Sequence, residues 1–147
     1  MNYTEPTHIP GWIDARQCKL LTETVQCLPP ESKILEIGVG LGRSSWAIID
    51  GLDPSHSLVS VDTFAMNEPD LKHINIRELN RFCGESQQIT QLINTYRRTN
   101  QRTTYRQALS YHPKRSKINH TIVTAYSAEF LESNNTTWDL AYIDGDH

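Results

Sequence analysis

The run Glu36-Ile37-Gly38-Val39-Gly40-Leu41-Gly42 places three alternating glycines directly after a short apolar stretch. Glycines in such a turn let the backbone approach a bound group closely and aim its N–H donors at it. A helix beginning just after them adds a positive end, which favours an anion such as an amino-acid carboxylate. The plainer alternative is a turn that merely joins two elements. Glu36 speaks against it, because a carboxylate at a strand end is costly to bury unless it meets a cation or hydrogen-bond donors. Asp62 closes the next apolar run, 20 residues after Gly42, where an acidic side chain can accept both hydroxyls of a ribose. It could also be an ordinary strand-end aspartate.

A dinucleotide-binding turn has the spacing G-x-G-x-x-G, which would put its third glycine at position 43. Arg43 stands there instead. A second acidic group, Asp144 and Asp146 with His147, follows the last apolar run. An imidazole titrates near neutral pH and can take a proton without a large pKa shift. Asp144 could equally be a strand-end carboxylate satisfied by backbone N–H groups.

These residues need elements that bring them together. Cys18, Leu21, Val25 and Leu28 recur at helical spacing after Asp14, a suitable N-cap, and Pro29-Pro30 ends that helix. Residues 33–37 form a buried strand running into the glycines. Residues 44–50 suit a helix, with Gly51 at the C-terminal cap. A second strand covers 57–61, a third 120–124, a short helix begins near Ala128, and a fourth strand covers 138–143. Between the second and third strands, residues 64–117 are polar, and Ile89, Leu92, Ile93 and Tyr96 share one helical face there, with Tyr105 and Leu109 on another. This alternation predicts an α/β fold of the Rossmann-like, doubly wound kind with a mainly parallel sheet. Ligands then bind at the carboxyl ends of the strands, where Gly38 to Gly42, Asp62, the Tyr126-Ser127 corner and Asp144 all fall.

The chain has 147 residues, 37% hydrophobic, with a formal net charge of -3. That suits one domain and points to neither a membrane nor a grossly polyanionic partner. No apolar run is long enough to span a bilayer, the N-terminus lacks a secretory core, and the odd cysteine count of 3 shows no metal-type spacing. A cytoplasmic protein is expected. From Ser86 to Ala128 there is no acidic residue, while Arg97, Arg98, Arg102, Arg106, Lys114, Arg115 and Lys117 all lie within that stretch. This segment is either a solvated helical face, an acceptor lid, or a surface for RNA or DNA.

The spacing G-x-G-x-G behind Glu36 resembles motif I of class I S-adenosylmethionine-dependent methyltransferases. Glu36-Ile37-Gly38-Val39 followed by Gly42-Arg43-Ser44 is similar to the corresponding stretch of catechol-type and caffeoyl-coenzyme A-type O-methyltransferases. Gly11-Trp12 before a helix, and the ending Asp139-Leu140-Ala141-Tyr142-Ile143-Asp144-Gly145-Asp146-His147, resemble a broader bacterial branch of class I. The resemblance implies S-adenosylmethionine as cofactor. Glu36, Gly38, Gly40, Gly42 and Ser44 would hold its methionine part, Asp62 its ribose, and Ser127 with Ala128 would flank its adenine. In the catechol-type enzymes a D-x-D-K segment closes the fourth strand, its first aspartate ligating a divalent metal and its lysine acting as base. By that resemblance Asp144 would bind a metal such as Mg, and Asp146 and His147 would serve catalysis.

Class I enzymes carry three further strands beyond the fourth, so the sequence is expected to be a single, partial S-adenosylmethionine-binding domain over 1–147, with 64–117 as a helical insert or lid. An open fourth-strand edge would favour a homo-oligomer. The expected activity is methyl transfer to a small-molecule acceptor, at oxygen by resemblance. Alternatives are a nucleic-acid methyltransferase or binding module using 97–117, and a non-catalytic cofactor-binding remnant. A nicotinamide-dependent oxidoreductase is disfavoured by Arg43.

Overall fold

The computed structural model describes residues 3, 5–65 and 87–144. Helix α1, Ala15–Gln26, opens on a reciprocal cap. The Asp14 carboxylate accepts the Gln17 N–H at 2.8 Å, and the Gln17 side chain accepts the Asp14 N–H at 2.8 Å. This satisfies two N–H groups that a helix start leaves without partners. Its buried stripe is Cys18, Leu21, Thr22 and Val25. Strand β1, Lys33–Ile37, leads through the glycines into helix α2, Arg43–Gly51, and then to strand β2, Ser57–Asp62. Helices α3, Gln87–Arg98, and α4, Gln101–Ser110, precede a short 3-10 turn, Arg115–Lys117. Strand β3, Asn119–Thr124, helix α5, Ser127–Ser133, and strand β4, Leu140–Ile143, complete the described order.

The four strands are all parallel in the order β3-β2-β1-β4. Their register aligns Ile37 with Val61 and with Ile143, and Asp62 with Thr124. The ladder continues past the strands: Gly38 N–H donates to Val61 O, Ala125 N–H to Asp62 O, and Asp144 N–H to Ile37 O. One carboxyl edge therefore carries the first residues after β1, β2, β3 and β4 side by side.

One face of the sheet, through Ile34 and Leu58, packs against α1, α2, α3 and α4. The other, through Leu35, Ile37 and Val61, packs against Phe130 of α5 and Trp138. Within 64–117, Tyr105, Ala108 and Leu109 of α4 are fully buried. Asn100 caps α4 by accepting the Thr103 N–H at 2.8 Å.

Several boundaries differ from expectation: β2 extends to Asp62 and β3 starts at Asn119. Helix α2 begins at Arg43, one residue early. Gly51 is the last helical residue rather than the cap, and Leu52 takes that place in extended conformation. A Cβ at Gly51 would lie 2.5 Å from Thr22 O and 2.8 Å from Val25 Cβ, so that glycine serves the α1–α2 contact. Strand β4 starts at Leu140 rather than 138. The Asp139 carboxylate accepts the Lys33 N–H at 2.8 Å, and Trp138 turns its ring toward Phe130, centroids 6.3 Å apart.

Candidate functional site

The loop after β1 is built from left-handed glycines: φ is 84° at Gly38, 54° at Gly40 and 105° at Gly42. Those values lie where a Cβ clashes with the backbone, so glycine is the residue that fits. Gly42 has a second reason. A Cβ there would sit 3.1 Å from the Tyr105 ring of α4, so Gly42 faces the core. Gly38 and Gly40 are half-buried and keep an open side.

Asp62 ties this loop to β2. One carboxylate oxygen accepts the Val39 N–H at 2.8 Å and the other accepts the Phe64 N–H at 2.8 Å. Each oxygen retains a further lone pair, at the carboxyl edge and beside the glycines. Phe64 has φ 51°, a left-handed conformation that is strained for a bulky side chain.

Glu36 lies beneath the loop, with no exposed surface. Ser44 donates to one of its oxygens at 2.7 Å, and Ser45 and Ser60 donate to the other, each at 2.7 Å. Burial pushes its pKa above the usual carboxylate value, and the three hydroxyls partly offset that shift. Ser60 also meets His120 Nε2 at 2.9 Å, and Tyr105 donates to Ser45 at 3.0 Å. His120 is pushed down to about 3 by burial and then by Arg115. Glu36 and Ser44 thus bond to each other, under the edge that the glycines present.

At the other strands the side chains are more open. Ser127 is half-buried and opens α5, Ala128 is exposed, and Tyr126 before them is exposed. Asp144 is exposed beyond β4 and accepts the Tyr142 hydroxyl at 3.2 Å. Asp146 and His147 lie outside the described residues. Among the described residues no group of three His, Cys, Asp or Glu side chains could hold a metal ion. Asp144 has no carboxylate or imidazole partner there with which to complete an octahedral oxygen shell.

Residues 35–147 match a family model described as a methyltransferase domain. The chain belongs to that family. No curated protein matches the sequence. Among solved structures, this methyltransferase domain is similar to an O-methyltransferase from Bacillus cereus in complex with SAH, with TM-score 0.57 and 14% identity over 99% of this chain and 56% of that one. It is also similar to an O-methyltransferase from Streptomyces achromogenes involved in tomaymycin synthesis, in complex with SAM, with TM-score 0.53 and 16% identity over 90% of this chain and 45% of that one. The methyltransferase domain described here spans about half the length of the solved chains it matches.

Arg43, which breaks the dinucleotide spacing, has a role in this methyltransferase domain that its position alone did not reveal. Only 2% exposed, it donates through Nε to Ile13 O at 2.7 Å and through Nη1 to Pro6 O at 2.6 Å and Ile9 O at 3.1 Å. Its other terminal nitrogen lies 3.7 Å from the Glu5 carboxylate. The only hint in the sequence was an arginine inside an otherwise small and apolar helix start.

Two members of the basic stretch also work internally. Lys114 donates to the carbonyls of Asp50 and Leu52 at the end of α2, where a cation suits the helix dipole. Arg102 donates to Thr124 at 2.8 Å and lies over the Phe64 ring. Arg97, Arg98, Arg106 and Lys117 are exposed. No helix among the described residues is long and apolar enough to cross a membrane.

Proposed function

We propose that this domain binds S-adenosylmethionine along the carboxyl edge of its sheet and directs methyl transfer to an oxygen of a small-molecule acceptor. The observation that carries the reading is Asp62. Two backbone N–H groups hold its carboxylate beside the left-handed glycines, with lone pairs left for a diol. Gly38 and Gly40 supply the close backbone approach that a methionine moiety needs. Glu36, Ser44 and Gly42 act from below and behind, keeping the loop and the start of α2 in place. Ser127 and Ala128 border the adenine side.

The bound cofactor supplies a sulfonium, a good leaving group, so the protein's share is orientation and proton removal. Asp146 and His147 are assigned to the acceptor's proton. Asp144 is the residue assigned to a divalent cation, and the described donors do not complete a metal site, so no step is routed through one. The membership in a methyltransferase family and the likeness to two O-methyltransferase folds support the reaction class.

Calorimetric titration with S-adenosylmethionine tests this, with NAD as control. Saturable binding of S-adenosylmethionine alone is expected. Asp62→Ala should weaken it by about ten- to a hundredfold, the worth of hydrogen bonds to a charged group. Equal affinity for NAD, or wild-type affinity in the variant, would sink the proposal.

A further inference from the structure

Residues 5–13 form a strap along the start of α2, and nearly all of it is tied down. Ile9 and Ile13 are buried, and Arg43 gathers the carbonyls of Pro6, Ile9 and Ile13. His8 meets the Trp46 ring edge-on, centroids 4.4 Å apart. Gly11 lies so close to Arg43 that a Cβ there would be 3.0 Å from the Arg43 Cβ and Cδ. The backbone is therefore pressed onto the arginine at the residue just before Trp12.

Trp12 is the exposed large apolar side chain of the strap, at 52%. Its ring reaches the open side of the glycine loop, with Cζ3 3.7 Å from where a Gly40 Cβ would stand. On another side the Gln101 side chain of α4 donates to Gly40 O at 2.9 Å. An indole left half in water costs hydration free energy that further burial would recover. The strap delivers that indole to the one loop that the cofactor reading already needs.

We infer that Trp12 is a wall of the cofactor site, covering the part of S-adenosylmethionine that lies on the glycine loop, with Arg43 and Gly11 as the residues that position it. This rests on the cofactor reading above and extends the site to a segment that lies outside the matched family region, residues 35–147. It also assigns Arg43 a reason to follow Gly42 directly: one residue orders the loop's helix and the strap together.

The test is titration of the full chain with S-adenosylhomocysteine, by calorimetry and by tryptophan emission, in wild type, Trp12→Leu and Trp12→Phe. Trp46 is buried and Trp138 half-buried, so the exposed Trp12 should give the ligand-dependent change in emission. Trp12→Leu should weaken binding about three- to tenfold, the range for loss of one aromatic contact, with Trp12→Phe recovering most of it. The urea midpoint should stay at the wild-type value. Wild-type affinity in Trp12→Leu, or a wild-type emission change that persists in Trp12→Phe, overturns the inference and leaves the cofactor reading intact. No binding by the wild-type chain overturns both.

Discussion

The two faces of the sheet handle polar groups in opposite ways. On the face covered by α1, α2, α3 and α4, Glu36, Ser44, Ser45, Ser60, Tyr105 and the half-buried His120 are bonded to one another. On the other face, α5 is the covering helix among the described residues, and Ala141 and Ile143 of β4 remain exposed. Asp144, just beyond β4 at the carboxyl edge, is exposed and bonds to a single side chain, the Tyr142 hydroxyl. The contrast shows where each kind of work sits. The buried face braces the glycine loop through a network that gives both Glu36 oxygens hydroxyl donors, where an unpaired polar group costs about 1–3 kcal/mol; at its far end His120 Nδ1 is buried without a partner. The open face leaves side chains free to meet something else.

The sharpest way to break this contrast is at Gly51. Replacing it with alanine forces a methyl group to within 2.5 Å of a backbone oxygen, so α1 and α2 must separate. A loss of about 3 kcal/mol or more is expected in urea unfolding, the upper end for overpacking a core. A loss below about 1 kcal/mol would mean that the buried face is not close-packed there.

A smaller effect should appear with pH. Burial holds His112 at about 4 and His120 at about 3, below the ordinary 6.5. The unfolded chain takes up those protons first, so this stability is present above 6.5 and is lost as pH falls through the folded values. Glu36 has the opposite sign. Its raised pKa means that the unfolded glutamate ionises first, so its contribution is present below 4.5 and is lost as pH rises through the folded value. Glu36→Gln should therefore remove the loss on the alkaline side. Urea midpoints between pH 4 and pH 8, set about the reference values, should show the variant gaining on wild type as pH rises. A constant difference across that range would show that the buried carboxylate is not held as described.

The smallest effect is expected on α5, where Leu131 is 47% exposed. Leu131→Ala should change stability by no more than about 0.5 kcal/mol. A larger loss would reveal packing on the open face that its exposure does not show.

Much of the scaffold was legible because its determinants are local. Asp14 caps α1 because the group it satisfies, the Gln17 N–H, is three residues away. The strands 33–37 and 57–62 follow from short apolar runs bounded by turns, and the alternation of elements implied a parallel sheet with its ligand edge at Gly38 and Asp62. The misplacements are also instructive. Gly51 was expected as a cap from its position at a helix end, yet its absent side chain is required by Thr22 and Val25, residues of another helix. Trp138 and Asp139 were counted into β4 on composition, and contacts with Phe130 and Lys33 draw them out of it.

What the sequence by itself determined is the set of elements, the glycine loop with φ values open to glycine, and an acidic residue at the end of β2. Periodicity, capping and turn chemistry act over a few residues, so they can be read along the chain. What only the tertiary structure decided is which groups meet across it. It set the strand order β3-β2-β1-β4, and it surrounded Glu36 with hydroxyls from α2 and β2. It paired Arg43 with carbonyls 30 to 37 residues away and laid Trp12 against Gly40. Such partners share no local period, and they are chosen by the packing of whole elements, where a buried charge must find whatever donors or acceptors the fold brings within reach.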